Sequence, residues 1–172
     1  MTKFKIIELS NSSNKSSNTN YFPQISGEKV VWKGTDAKGN SEIFFYNGEE
    51  TIQITNNDVT DKSPAISGNN IVWVGEDGWN EIFFYNGNET IQLTNNKELS
   101  EVSIQLDGNP KVDGNRVVWQ RLNLSNATTS VMLATVDNTK SASSQYSDRQ
   151  LKFVTSSTII ILSLIFLCWL KS

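Results

Sequence analysis

Histidine is absent from this 172-residue chain, and cysteine occurs once, at Cys168. Without histidine there is no Ser-His-Asp or Cys-His relay, no HExxH zinc site and no imidazole pH switch. A single cysteine permits neither a disulfide within the chain nor a cysteine-cluster metal centre. A dominant charge is lacking too: 15 basic and 18 acidic side chains leave a net charge of −3, with both signs spread along the sequence. Nucleic acid is thereby disfavoured as the main partner, because phosphate binding draws on a concentrated basic face. The N-terminus holds lysines but no apolar core of the ~7–15 residues that a signal peptide carries. No metal and no cofactor is assigned. What is present is 20 asparagines and 10% aromatic residues, the composition of a folded chain rich in turns.

Proline is also scarce, and all three prolines lead the same phrase. Pro23-Gln-Ile-Ser-Gly-Glu-Lys-Val-Val-Trp32 returns as Pro64-Ala-Ile-Ser-Gly-Asn-Asn-Ile-Val-Trp73. A third version reads Pro110-Lys-Val-Asp-Gly-Asn-Arg-Val-Val-Trp119. Further on, Glu42-Ile-Phe-Phe-Tyr-Asn-Gly48 recurs at Glu81–Gly87, and Thr51-Ile-Gln-Ile-Thr-Asn-Asn57 recurs with one change at Thr90–Asn96. Ordered identity over two full units is the mark of a repeat architecture.

Within a unit the periodicity is that of strands. Pro64–Ile66 reads as a short strand with proline at its start, and Gly68-Asn69-Asn70 as a tight turn. Ile71–Val74 and Glu81–Tyr85 are β-branched and aromatic runs, Asn86-Gly87 is a hairpin signal, and Thr90–Thr94 alternates. Four short antiparallel strands in ~40 residues match one propeller blade, which holds together only by stacking on neighbours.

In content and order these phrases resemble the TolB-type β-propeller repeat, over about residues 5–136. The resemblance implies an all-β partial propeller of about three four-stranded antiparallel blades. They fall at about 22–57, 63–96 and 109–136, with an orphan strand at about 5–10. It further implies an extracytoplasmic, protein-binding scaffold. Some relatives bind or cleave acidic polysaccharides, but with His and metal ligands that this chain lacks.

The two ends depart from the pattern. Lys5-Ile-Ile-Glu-Leu-Ser-Asn11 has fourth-strand form with no first three strands before it, and the third unit has no fourth-strand sequence after Val136. Three blades fall short of the usual ~4–8. The alternatives are a shortened, open form, two chains that exchange N-terminal strands in a six-bladed ring, or completion by another repeat protein. Residues 137–152 have linker composition, and 153–170 form eighteen uncharged residues, long enough as one helix to cross a bilayer. Flanking Lys140, Arg149 and Lys152 favour a cytoplasmic N-side, against the extracytoplasmic side implied by the resemblance.

Candidate site residues lie in loops. Trp79, in Gly75-Glu-Asp-Gly-Trp-Asn80, has no aromatic counterpart in the first unit, and with Asp77 and Glu76 it reads as a partner anchor. Asp36 sits in a hairpin turn that only loosely resembles a calcium loop, and Asp58 in an inter-blade connection. Trp32, Trp73 and Trp119 are read as inter-blade packing. The functional expectation is a non-enzymatic, membrane-anchored binding or scaffolding module for a protein partner. The alternatives are a propeller that binds or cleaves polysaccharide, with Asp36, Asp58, Asp61 or Asp77 as acid and base, and a remnant of a longer protein.

Overall fold

The computed structural model describes residues 3–10, 20–96 and 104–137. The expected linker beyond 137 and the apolar run 153–170 lie outside the described residues. Among the described residues eleven strands follow one another: β1 (Tyr21–Ser26), β2 (Lys29–Thr35), β3 (Ser41–Tyr46), β4 (Thr51–Gln53), β5 (Thr60–Ser67), β6 (Asn70–Glu76), β7 (Asn80–Tyr85), β8 (Thr90–Gln92), β9 (Gln105–Asp113), β10 (Arg116–Asn123) and β11 (Thr128–Thr135). They form three antiparallel meanders: β1 to β4, β5 to β8, and β9 to β11. The third sheet thus has three strands. Residues 3–10 carry no strand, although their sequence has fourth-strand form.

The prolines sit inside strands, not at their starts. Phe22, Ser63 and Asn109, each just before a proline, have φ of 56°, 54° and 51°. Each marks a bulge where the register with the next strand shifts. The strand therefore runs on upstream of the proline, which explains why β5 begins at Thr60 and β9 at Gln105. The Asn-Gly signals do fall in hairpins. Asn86 Oδ1 accepts from the Asn88 and Glu89 amides at 2.9 Å each, closing a four-residue loop, and Asn47 does the same for Glu49 and Glu50.

Strand alternation decides which sheet touches which. On β6, Ile71 and Trp73 face sheet one, packing with Val31, Ile43 and Phe45. Val72 and Val74 face sheet three, with Ile82 and Phe84 from β7, against Val117, Trp119 and Val136. The middle sheet is buried on both faces, so β6 has a continuous apolar core instead of a polar side. The inner turns are tied as well. Ser26 Oγ accepts from the Gly68 amide at 2.9 Å, and Ser67 Oγ from the Gly114 amide at 3.0 Å. That bond accounts for the recurrent Ser-Gly pair.

Candidate functional site

Trp79 and Asp77 come together. They line a cleft of about 350 Å³ with Asn57, Val59, Phe83 and Gln92, on the loop side of β6 and β7. The hairpin between those strands owes its sharp turn to Gly78, at φ 71°. Trp79 is half-buried there, while Asp77 is exposed. Glu76 turns aside, pairing with Lys62 Nζ at 2.5 Å. Asp58 is exposed in the loop that Asn57 Oδ1 caps through the Val59 amide.

Asp36 lies elsewhere. Its Oδ1 accepts from the Lys38 and Asn40 amides, both at 2.8 Å, which makes it the organiser of the β2–β3 turn. It borders a separate cleft of about 350 Å³ with Trp32 and Phe44. The hairpin-turn reading of Asp36 fits this geometry. No group of three or more acidic or cysteine side chains able to hold a metal occurs among the described residues.

Apart from Asp61, the most organised polar residues are ones that loop reasoning passed over. Between sheets one and two, Glu42 Oε2 accepts from Thr55 Oγ1 at 2.5 Å and Oε1 from the Asn57 amide at 3.1 Å. Asn57 Nδ2 then donates to Asp61 Oδ2 at 3.0 Å, and Trp73 Nε1 donates to Asp61 Oδ1 at 2.9 Å. The next junction repeats the chain: Glu81 holds Thr94 and the Asn96 amide, and Asn96 Nδ2 reaches Asp107 Oδ2 at 3.0 Å. Glu42, Asp61, Glu81 and Asp107 are all buried. Burial pushes the Glu42 and Asp61 carboxyls above their ordinary values.

The two junctions differ at one place. Gly75 and Gly34 leave room for the rings of Phe83 and Phe44; a Cβ there would come within 2.7 and 2.8 Å of them. Those rings stack on Trp73 and Trp32 at 5.8 and 6.0 Å. In the third sheet the corresponding residues are Arg121 and Met132. Arg121 grips Asp107 through Nε and Nη2 at 2.7 and 2.8 Å, and Asp107 in turn raises its pKa. Trp119 Nε1 is then buried with no acceptor among the described residues.

A solved structure has the same arrangement of sheets. The β-propeller domain of the Trilobed protease from Pyrococcus furiosus, described as having an open velcro topology, matches with a TM-score of 0.52 and 14% identity over 79% of this chain. The three sheets are propeller blades. The chain spans 42% of that neighbour's length, and at this identity the likeness concerns fold alone. No family model and no curated protein matches the sequence. Blade two, flanked on both sides, therefore carries the Trp79 cleft, and the buried Glu-Thr-Asn-Asp chains lie in the joints between blades.

Proposed function

We propose that the chain is a non-enzymatic binding module, related to the TolB-type repeat, that receives a protein segment in the cleft around Trp79. The observation that carries this reading is the pairing of a half-buried Trp79 with Phe83 and the exposed Asp77 in one concave site on the loop side. An aromatic anchor beside a rim carboxylate suits capture of a peptide with an apolar residue next to a basic one. The acids best placed for proton transfer by their raised pKa, Glu42 and Asp61, are enclosed between blades and committed to hydrogen bonds, which favours binding over hydrolysis. Asp36 and Asp77 border different clefts. The apolar run 153–170 supports anchoring of the module to a membrane.

Polysaccharide is the second reading, favoured by the mixture of aromatic face with Asp77, Gln92 and Asn95 around the same cleft. One experiment separates the two. The detergent-solubilised full chain and its Trp79→Ala variant are screened against a displayed peptide library and a panel of acidic and neutral glycans. Peptides enriched by the parent and lost at least ~10-fold in the variant support the proposal. Glycans that behave so transfer it to the second reading, and the absence of any Trp79-dependent ligand overturns both.

A further inference from the structure

Among the described residues, two complementary parts of one blade lie at opposite sides of the array. The outer edge of blade three, β11, pairs with no fourth strand among the described residues. At the other end, Ile7-Glu8-Leu9-Ser10 aligns with Ile52-Gln53-Ile54-Thr55, the outer-strand sequence of blade one. Its placement agrees. Leu9 and Ser10 share a cleft with Asn20, Trp32, Phe44 and Thr51. At the blade one–two joint, the same six places are held by Ile54, Thr55, Asp61, Trp73, Phe83 and Thr90. The segment therefore lies where the outer strand of a preceding blade would lie, with Thr51 Oγ1 donating to the Leu9 carbonyl at 2.9 Å.

We propose that a second copy of this chain supplies that preceding blade: β11 of each copy takes residues 5–10 of the other as its fourth strand, and the reciprocal exchange closes a two-chain ring. The internal joints serve as templates for the contact. Val72, Ile82 and Phe84 are fully buried against blade three, whereas their blade-three counterparts Val118, Val131 and Leu133 are 38%, 84% and 61% exposed. Opposite them in the template is the free face of blade one, where Ile25 is 72% exposed although its counterpart Ile66 is packed.

Charge points the same way. Lys29 donates to Asn69 across the first inner-turn contact. Two joints further, at the contact between copies, the matching pair is Arg116 of one copy and Glu28 of the other, both exposed and of opposite sign. The polar chain is adjusted in concert: Ser130 replaces the glutamate, Ser10 the threonine and Asn20 the aspartate, so the new joint would bury no carboxylate.

The Tyr85–Thr90 register maps onto Ala134 and Ile6. The template pair is of the non-hydrogen-bonded kind, flanked by Asn86 N–H to Glu89 O, in which Cβ atoms approach to about 4.5 Å, the upper end of what a disulfide spans. In the full chain carrying Cys168→Ser, Ile6→Cys with Ala134→Cys should oxidise in detergent to a covalent dimer on a non-reducing gel. A mixture of the two single variants should form a crosslink that neither forms alone. A bridge within one chain, a ladder of higher species, or no bridge would overturn the ring. Independently, Glu28→Arg should weaken the dimer roughly tenfold by concentration-dependent light scattering, and adding Arg116→Glu should restore it. A dimer indifferent to Glu28→Arg would overturn the register.

Discussion

Glu42 and Asp61 illustrate how a buried pair without a cation couples a joint to pH. Both carboxyls bind protons more tightly in the folded chain than at the ordinary values of 4.5 and 3.8, chiefly because burial disfavours the charged form. Above those ordinary values, and up to the raised ones, the folded state carries more protons than the unfolded state. Stability contributed by this pair is therefore greatest at the acid end of that window and declines as pH rises through it. Glu42→Gln should flatten the dependence while Thr55 and Asn57 keep a hydrogen-bonding partner. Urea midpoints measured from acid to neutral pH check this, and an unaltered pH slope in the variant would refute the assignment. Residues of this kind were only half legible. Glu42, Thr55 and Asn57 recur at the same spacing as Glu81, Thr94 and Asn96, and that recurrence was visible in the sequence. Their role was not, because the partner aspartate belongs to the next blade and no periodicity within one strand reveals it.

At the scale of the strand pair, blades two and three solve one packing problem in two ways. β6 and β7 place Gly75 beneath the Phe83 ring, freeing Asp61 to accept from Trp73. β10 and β11 place Arg121 and Met132 there, and Asp107 turns to the guanidinium. Arg121→Gly alone strands Asp107 as a buried charge and should cost about 3 kcal/mol of unfolding free energy. Combining it with Met132→Phe rebuilds the Trp–Phe stack seen in blade two and should recover about 1 kcal/mol beyond additivity. A double-mutant cycle by urea unfolding measures that coupling, and strict additivity would show that the two positions are independent. The order and type of the strands were legible because alternation and repetition agree. The strand starts were not: proline suggested a beginning, whereas a left-handed residue before it lets the strand continue through a bulge. The Asn-Gly hairpins were legible in place, but not the length of their turns. Asn86 acts through its side chain, as an acceptor for two amides, so the connection needs four residues instead of the two that Asn-Gly suggests.

Across the whole described molecule, stability is a sum of neighbour contacts, and only blade two has neighbours on both faces. In the dissociated single chain its central strands β6 and β7 should show the slowest amide hydrogen exchange, and the outer edges β4, β8 and β11 the fastest. Exchange measured by mass spectrometry at peptide level tests this ranking; equal protection of β6 and β2 would indicate that the outer blades are held from outside as firmly as the middle one. The Trp79 cleft belongs to this best-supported blade, so the proposed ligand would meet a pre-set surface. The sequence marked Trp79 because the first unit lacks an aromatic at that place, while the separation of Asp36 from Asp77 follows from blade spacing and could be seen only in three dimensions.

Arg121 gives one joint its own counter-charge, and Gly75 denies it to the other. As pH climbs through the raised titration range of Glu42 and Asp61, a single chain should therefore part first between blades one and two, leaving the other two blades as a unit.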